Sequence, residues 1–501
     1  MPWILFIAFF SIGIALRQGA LMDPDTGWHI AAGDLIRAQG GLPSTDPWSH
    51  TAQDQSWYNI SWAYDVVLSI VHQLGGLPAV AVFSVLLYAL AVAGIAAIAM
   101  RSAQSPVAAL LTTVLLGFVL LPGMLARPQG FSFLLILAFY AVLRFGRLKS
   151  LWILPVLTAV WANVHGGFLT GFVILAAFFA EAFASGRAAR AVQIAGVGVL
   201  CSAAVFINPY GFDILQAVQL TMGSAMKEVL AEWRPMSLAG VSAATLFVAA
   251  FVLVSALFEK SIPLADKLLA CFWLAMGLSS ARMMQVAALL SAPYLAQALA
   301  LRLRQSPVGA FVEAKDRAYG KDLARAGVVG ALAFFAAGVV SASFLPPVQR
   351  VVAGEAEAFV KFPTHHAPDA ALDYMLRHYP SIRVFNGYGF GGYMIYRERG
   401  AAPVFIDGRA DTAYPRDMLA DAVILGQMRS WRGSVKESSD DEWKALADRY
   451  ALEGFLINVR GRLYEKLSGA PEWVEVYKDE TAVLFVRASL AERGYLQIGD
   501  L

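Results

Sequence analysis

The chain has 501 residues, of which 58% are hydrophobic and only 15% charged, whereas soluble globular proteins carry about 25% charged residues. The charges are concentrated near the C-terminal end, because roughly 26% of residues are charged after position 345 and roughly 10% before it. This composition excludes a single soluble enzyme and a disordered chain, and the net charge of +2 does not indicate a nucleic-acid partner.

Long apolar runs occupy most of the first 345 residues. A helix needs about 20 mostly apolar residues to cross a bilayer core, because lipid offers no partner to an unpaired backbone group. The runs predict about eleven transmembrane helices, at 3–22, 77–100, 106–122, 130–145, 151–165, 167–184, 190–207, 239–258, 264–281, 283–301 and 324–345. A signal peptide is the alternative for the first run, but Met1, Pro2 and Trp3 provide no basic segment. We therefore predict a polytopic α-helical membrane domain over residues 1–345.

Residues 346–501 have the composition of a soluble domain. The hydrophobic pattern predicts helices at 368–379, 415–428 and 442–450, strands at 383–385, 403–406 and 454–458, and a hairpin formed by 474–477 and 482–486. This alternation indicates a small C-terminal α/β domain. The glycine-rich segment 386–392 lacks the Lys-Ser/Thr ending of a phosphate loop, so we expect a tight turn packed on the core or on the membrane domain.

Lysine and arginine in short loops indicate the orientation, because they favour the cytoplasmic side. With the N-terminus inside, the basic clusters fall on the cytoplasmic side and Arg127 is the exception. The opposite face then carries the loops 23–76 and 208–238 and the whole segment 346–501. This placement depends on an odd number of helices.

The first outer loop opens on two carboxylates, Asp23 and Asp25, and continues through His29 to the aromatic segment around Trp57. Tryptophan and tyrosine favour the membrane interface for their own reasons. The carboxylates cost free energy near lipid unless they are paired, solvated or used in function. A solvated helix cap, with Pro24 setting the turn, is the structural alternative.

An Asp-x-Asp pair that directly follows the first helix and opens a long outer loop resembles the GT-C superfamily of membrane glycosyltransferases. The resemblance extends over most of the chain, to a largely uncharacterised group of bacterial multispanning proteins, through the segments DPDTGWHIAAGDLIRAQGGLPSTDPWSHTA, RPQGFSFLL, WANVHGGFLTG, VFNGYGFGGYMIY and PVFIDGRAD. It implies an enzyme of the bacterial inner membrane, with a periplasmic C-terminal domain, that transfers a sugar from a polyprenyl-phosphate-linked donor. The sequence lacks the Trp-Trp-Asp motif of oligosaccharyltransferases, which disfavours protein N-glycosylation.

This reaction needs a base for the acceptor hydroxyl, and a carboxylate suits that role. We expect Asp25, or failing it Asp23, to be the base of an inverting glycosyltransferase. The other carboxylate would orient the base or hold a divalent ion. Oxygen ligands suit Mg²⁺ or Mn²⁺, but two carboxylates are too few to assert a metal site.

The departing phosphate needs a positive site. The candidates lie beside helix ends on the predicted outer face, and they are Arg127, Arg282, His165, Lys227 and Arg234. The arginines rank first because a guanidinium binds phosphate through two parallel hydrogen bonds. For Arg127 and Arg282, the alternative is a charged side chain that snorkels to the membrane interface. For His165, the alternative is a hydrogen bond to a neighbouring helix.

Acceptor-binding candidates come from the loops and the C-terminal domain. They are His29, Trp57, Glu228, Asp407, Arg409 and Asp411. Glu228 or Glu232 is also a candidate metal ligand. An internal pair of Asp407 with Arg409 that ties a loop is the structural alternative for this segment. The partners implied are membrane lipids, a lipid-linked sugar, and a glycan, lipid or protein acceptor.

Three other functions remain open. A lipid-linked glycan polymerase or ligase would use the same architecture. A transporter or flippase would carry charged residues near the bilayer midplane, whereas Glu181 lies close to a cytoplasmic helix end. A scaffold that binds a partner through its tail would leave the first-loop carboxylates unexplained.

Overall fold

The computed structural model describes residues 1–16, 20–235, 254, 256–317, 361–427 and 440–491. The chain divides into two compact units. The helical unit consists of residues 1–20, 75–211 and 232–360, and the sheet unit consists of residues 21–74, 212–231 and 361–501. The two outer loops predicted from the sequence thus fold largely with the C-terminal segment, while the predicted boundary near residue 345 lies outside the described residues.

Sixteen α-helices are present in the described residues: α1 (Pro2–Ala15), α2 (Thr26–Gln39), α3 (Trp62–Ala103), α4 (Pro106–Leu120), α5 (Gln129–Phe145), α6 (Ile153–Val164), α7 (Leu169–Ala184), α8 (Ala188–Ala204), α9 (Ile214–Met222), α10 (Leu264–Ser279), α11 (Met284–Gln305), α12 (Asp369–His378), α13 (Tyr388–Glu398), α14 (Arg416–Leu425), α15 (Asp440–Arg449) and α16 (Arg462–Ser468). Nine of the eleven predicted apolar runs coincide with helices of this series. Most of the run 239–258, and the whole run 324–345, lie outside the described residues.

Four helical segments in the described residues are long and apolar enough to cross a membrane: Trp62–Ala103, Pro106–Gly123, Gly166–Ala184 and Ala281–Gln305. Helix α3 is kinked where the two units divide, because Gly75 and Gly76 have non-helical backbone angles. Gly76 has φ +63°, which favours glycine at that position. Helix α4 begins at Pro106 after the N-cap Ser105, whose side chain accepts a hydrogen bond from the Ala108 amide.

The sheet unit contains a four-stranded sheet in the order β1 (Val384–Asn386), β2 (Gly454–Asn458), β4 (Ala482–Arg487) and β3 (Trp473–Lys478). Strands β1 and β2 are parallel, with Phe385 opposite Phe455, and the other two pairings are antiparallel. The predicted strand 454–458 and the predicted hairpin are therefore confirmed. Helices α12, α14 and α15 lie where the sequence predicts helices, whereas α16 was not predicted.

The first loop is part of the core of the sheet unit. Trp28, Trp48 and Trp57 belong to the same buried cluster as Phe385 and Phe455 of the sheet. This core explains why the loop carries so many aromatic side chains, since they are buried against the C-terminal segment.

Two local predictions in the C-terminal segment are wrong. Residues 404–406 are buried as expected, but the segment forms only an isolated bridge between Val404 and Ser49. The Val404 amide donates a hydrogen bond of 3.0 Å to the Trp48 carbonyl, and the Val404 carbonyl accepts one of 3.0 Å from the His50 amide. Side chains bind the next residue, because Asn386 accepts a hydrogen bond from the Phe405 amide at 2.7 Å and Thr51 donates one to the Phe405 carbonyl at 2.7 Å. The glycine-rich segment is not a tight turn, since helix α13 begins within it at Tyr388.

Candidate functional site

The carboxylate pair lies at the start of helix α2 in the sheet unit. Asp25 is the N-cap residue of this helix, and its amide donates a hydrogen bond of 2.8 Å to the Asp23 carboxylate. Asp23 is 2% exposed and Asp25 is half-buried. The helix N-terminus favours negative charge at this position. Asp23 therefore fixes the turn that presents Asp25.

Backbone from the C-terminal segment approaches Asp25 closely. A Cβ atom added to Gly408 would collide with the carboxylate of Asp25, so only glycine fits there without movement. One turn into α13, a Cβ on Gly392 would collide with the Pro24 carbonyl. The two glycine-containing segments that resemble the GT-C group thus meet the first-loop motif inside one unit.

His366 is a site residue that the sequence did not reveal. It interacts electrostatically with Asp25 and hydrogen-bonds the backbone of Met22. Burial, and then the charge of the neighbouring His365, lower the pKa of His366 to about 4. His366 is therefore neutral at pH 7 beside Asp25. No local pattern indicates this contact, because about 340 residues separate the two positions.

Two candidate arginines meet in the helical unit. Arg127 lies two residues before α5, and Arg282 lies two residues before α11. Both bind one carboxylate, Glu232: the Arg127 Nη1 to Glu232 Oε2 distance is 2.8 Å, and Arg282 Nη1 contacts Glu232 Oε1. Burial disfavours the charge on Glu232, but Arg282 and Arg127 outweigh it and lower the Glu232 pKa to about 2. We call Arg127 and Arg282 the arginine pair.

The backbone around Glu232 is anchored to the segment before α11. The Ala281 amide donates a hydrogen bond of 2.9 Å to the Arg234 carbonyl, and the Ser280 hydroxyl donates one of 3.4 Å to the Glu232 carbonyl. The Arg282 guanidinium lies 5.1 Å from the centre of the Trp233 ring, which is a cation–π distance. Arg234 itself is exposed at its side chain and contributes its backbone to this anchor.

His165 forms local contacts in the helical unit. Its Nδ1 lies 2.7 Å from the Ser132 hydroxyl and accepts a hydrogen bond of 3.2 Å from the Gly167 amide. Trp161 donates a hydrogen bond of 2.6 Å to the same hydroxyl. These contacts favour the structural alternative, in which the histidine joins α5 to the turn after α6.

Lys227, Glu228 and Asp411 lie in the sheet unit and are half-buried. Lys227 donates a hydrogen bond of 2.6 Å to the Met222 carbonyl and interacts electrostatically with Asp411. Burial raises the pKa of Asp411, although a hydrogen bond with Ser224 and the charge of Lys227 act against that rise. The structure thus joins the second loop to the segment after residue 406.

Arg409 is the centre of a buried ion-pair network in the sheet unit. It binds Asp407 through Nε at 2.8 Å and Nη2 at 2.6 Å, and Asp46 through Nη1 at 2.5 Å. All three side chains are 0% exposed. The guanidinium also lies 5.0 Å from the ring centres of Trp48 and Trp57. These contacts favour the internal pair that ties a loop.

His29 is also buried. Its Nδ1 lies 2.6 Å from Asp65 Oδ1, and its ring stacks on Trp28 with ring centres 3.6 Å apart. Asp65 accepts a further hydrogen bond of 2.7 Å from Asn59. His29 and Trp57 therefore pack the first loop, and their role as acceptor ligands stays a prediction.

Asp23 and Asp25 are the candidate ligands of a divalent metal ion. Among the residues that the structure describes, no group of three or more His, Cys, Asp or Glu side chains is arranged to hold a metal ion. Two carboxylates fit Mg²⁺ or Mn²⁺ only if substrate phosphate and water supply the remaining oxygen ligands.

Comparison with known proteins yields similarity in structure. No protein-family model and no curated protein sequence matches the chain. The fold is similar to that of the oligosaccharyltransferase AglB from Archaeoglobus fulgidus, solved with an inhibitory peptide and a dolichol-phosphate: the TM-score is 0.56, identity is 11%, and the alignment covers 97% of this chain and 74% of AglB. The A. fulgidus enzyme tethered to an acceptor peptide with the NVT sequon gives a TM-score of 0.53 at 12% identity, covering 91% of this chain and 69% of the enzyme. ArnT from Cupriavidus metallidurans gives a TM-score of 0.48 at 15% identity, and the alignment covers 97% of this chain and 98% of ArnT.

AglB is a GT-C superfamily membrane glycosyltransferase. The similarity to AglB confirms the GT-C-like fold predicted from the sequence, with apolar helices and a sheet-containing part. The likeness is one of fold and does not by itself assign a function.

Proposed function

We propose that the protein is an inverting glycosyltransferase that uses a polyprenyl-phosphate-linked sugar and acts on the periplasmic face of a bacterial inner membrane. The observation that carries this proposal is the Asp23–Asp25 pair, presented at the start of α2 in a chain whose fold matches AglB over 97% of its length. AglB was solved with a dolichol-phosphate, which supports a polyprenyl phosphate as the lipid. The eleven-helix topology and the periplasmic C-terminal domain belong to the same proposal.

Asp25 is the general base in this mechanism. The acceptor hydroxyl attacks the anomeric carbon of the donor sugar while the bond from that carbon to the phosphate oxygen breaks. The proton of the hydroxyl passes to Asp25, and the polyprenyl phosphate leaves from the opposite face, so the configuration is inverted. Asp23 binds the Asp25 amide and thereby orients the turn that carries the base.

The arginine pair binds the departing phosphate. Charge grows on the phosphate as the bond breaks, and guanidinium groups stabilise that charge through charge-assisted hydrogen bonds. Lys227 and Arg234 are secondary candidates for binding the phosphate. The side chain of Arg234 is exposed, and Lys227 is half-buried and interacts electrostatically with Asp411. A divalent ion, when bound, would be held by Asp23, the carboxylate that is not the base, and would supply further positive charge.

Asp25→Asn tests the assigned base. The variant keeps the size of the side chain and loses the proton acceptor, so we expect transfer from a radiolabelled polyprenyl-phosphate sugar to fall by about 10²–10⁴-fold. The matched control is Asp54→Asn, which removes an exposed carboxylate from the same loop. Full transfer by a folded Asp25→Asn protein would remove Asp25 from the mechanism.

A second candidate is transfer of a lipid-linked oligosaccharide, as by a glycan polymerase or ligase. It is favoured by AglB, an oligosaccharyltransferase. The length of the glycan on lipid co-purified with the chain separates the two: one sugar supports the first candidate, and several support the second. The transporter alternative is less favoured, because the buried ionic cluster of Arg144, Glu181 and Asp266 lies at helix ends.

A further inference from the structure

Two buried side-chain atoms of the sheet unit have no hydrogen-bond partner among the residues that the structure describes. They are Nδ1 of His366 and Nε1 of Trp28. His366 is half-buried as a whole, and Trp28 is only 7% exposed. Burial of an unpaired polar atom costs free energy, so such atoms are rare in folded proteins. A bound ligand that pairs both atoms would remove this cost.

The two atoms have complementary hydrogen-bonding character. The indole Nε1 of Trp28 can only donate a hydrogen bond. The ring of His366 is neutral, so it has one N–H group and one lone pair. The N–H group donates to the backbone of Met22, which leaves the lone pair on Nδ1. The sheet unit therefore has one unpaired donor and one unpaired acceptor in its described part.

Both atoms lie against the same face of helix α13 and close to Asp25. A Cβ added to Gly389 would lie 2.9 Å from His366 Nδ1. A Cβ added to Gly392 would lie 3.4 Å from Trp28 Cδ1, the ring carbon bonded to Nε1. The two glycines are three residues apart, so they share one face of the helix. Asp25 interacts electrostatically with His366 and precedes Trp28 by three residues at the start of α2.

A ligand at Asp25 that pairs both atoms must donate one hydrogen bond and accept another. The hydroxyl that reacts has a single proton, and Asp25 takes it, so that hydroxyl cannot also donate to Nδ1 of His366. A second hydroxyl of a bound molecule can donate to Nδ1, and a hydroxyl oxygen can accept from the indole N–H group. Sugars carry several hydroxyl groups on neighbouring carbon atoms and meet both requirements.

We propose that His366 and Trp28 form a sugar-binding subsite beside Asp25, in which Nδ1 of His366 accepts a hydrogen bond from one sugar hydroxyl and Nε1 of Trp28 donates to another. This inference rests on the proposed function, because it takes Asp25 as the base of a glycosyl transfer. The sugar belongs either to the acceptor or to the donor lipid. Pairing of both atoms orients the sugar relative to the base.

His366→Gln tests the subsite. Glutamine places its amide nitrogen near the position of Nε2, so the variant keeps a donor for the Met22 backbone and loses the acceptor Nδ1. The full-length chain is supplied in membranes with the radiolabelled polyprenyl-phosphate sugar, and both transfer of the label and release of free sugar are measured. We expect the rate of transfer to fall by about tenfold, the effect of one lost hydrogen bond. The unfolding temperature should stay near that of the wild type. Unchanged transfer would overturn the subsite.

Release of free sugar identifies the source of the hydroxyl group. Release uses water as the acceptor and therefore depends on the donor lipid alone. If release by His366→Gln stays at the wild-type rate while transfer falls, the subsite binds the acceptor sugar. If release falls together with transfer, the subsite binds the sugar of the donor.

His365→Gln is the matched control, because this neighbouring histidine is exposed and should be replaceable without loss of transfer. If His366→Gln loses stability, Gly389→Ala decides the question. The added methyl group crowds Nδ1, whereas alanine is favoured over glycine within a helix, so transfer should fall without loss of stability. Full transfer by a folded Gly389→Ala protein then overturns the subsite.

The variants also separate this inference from the proposed function. Full transfer by His366→Gln, with Asp25→Asn inactive, overturns the subsite and leaves the base standing. Full transfer by Asp25→Asn, with transfer lowered in His366→Gln, overturns the base and leaves a sugar subsite. Full transfer by both variants overturns both.

Discussion

The arginine clusters at the two ends of helix α5 differ in burial. At the C-terminal end, Arg144 binds Glu181 through two hydrogen bonds of 3.0 Å and Asp266 through one of 2.7 Å. Before the N-terminal end, Arg127 and Arg282 share Glu232. Arg187 also binds Glu181 in the first cluster, with 3.2 Å between its Nη2 and Glu181 Oε1.

The carboxylates of the two clusters differ in exposure. Glu181 and Asp266 are 9% and 1% exposed at their side chains, and Tyr140 and Gln297 add hydrogen bonds of 2.8 Å each to Asp266. Glu232, in contrast, is 31% exposed. A buried cluster whose groups are bound by protein holds helices together, whereas a more accessible cluster suits a ligand. Burial therefore distinguishes a structural arginine from a binding arginine.

Removing Arg144 should give the largest loss of stability. Arg144→Met leaves Glu181 and Asp266 buried without their shared cation, which costs about 3–5 kcal/mol of unfolding free energy. Thermal unfolding of the detergent-solubilised protein measures this loss. Arg147→Met is the control, because Arg147 is exposed one turn away. Equal unfolding temperatures for the two variants would contradict a structural role for Arg144.

Removing Arg282 should affect activity far more than stability. Arg282→Gln leaves Glu232 bound to Arg127, so we expect the unfolding free energy to change by less than about 1 kcal/mol. Loss of a donor to the leaving phosphate should lower kcat/KM by about 10²-fold. Arg302→Gln, which removes an arginine paired with Glu259 in the same unit, is the control and should leave both quantities near wild type.

Low pH should remove the contribution of the Glu232 charge to the free energy of unfolding, which is the smallest of these effects. The folded-state pKa of about 2 lies below the ordinary value of 4.5, so this stabilisation is present above pH 4.5 and is lost as pH falls toward 2. Because the side chain is 31% exposed, we expect only about 1–2 kcal/mol after solvent screening. The difference in unfolding free energy between wild type and Glu232→Gln should therefore shrink from pH 6 to pH 3. A constant difference would show that the arginine pair does not stabilise the ionised carboxylate.

The apolar runs and the regular strands were predictable from local pattern. Nine runs became helices, and residues 454–458 became strand β2 as expected, because length and periodicity decide these elements with little help from tertiary contacts. The segment 403–406 shows where pattern is insufficient. Residues 404–406 are buried as predicted, but their backbone bonds to the Trp48 and His50 backbone and to the Asn386 and Thr51 side chains, which are distant in sequence.

The candidate site was predictable as a set of residues but not as a set of partners. Asp23, Asp25 and the two arginines stand out because carboxylates and cations near lipid are costly. Tertiary contacts added Glu232 as the ligand shared by the arginine pair and His366 as a neighbour of Asp25. They also placed Asp407 and Arg409 in a buried network.

The sequence by itself determined the apolar helices, the regular strands and the first-loop motif, since each follows from residue type and spacing along the chain. Only the tertiary structure decided that the first loop, the second loop and the C-terminal segment form one unit with a common core. It alone also decided how many carboxylates each arginine meets. The physical reason is that burial and charge balance depend on residues brought together from distant parts of the chain, and neither is encoded in any short segment.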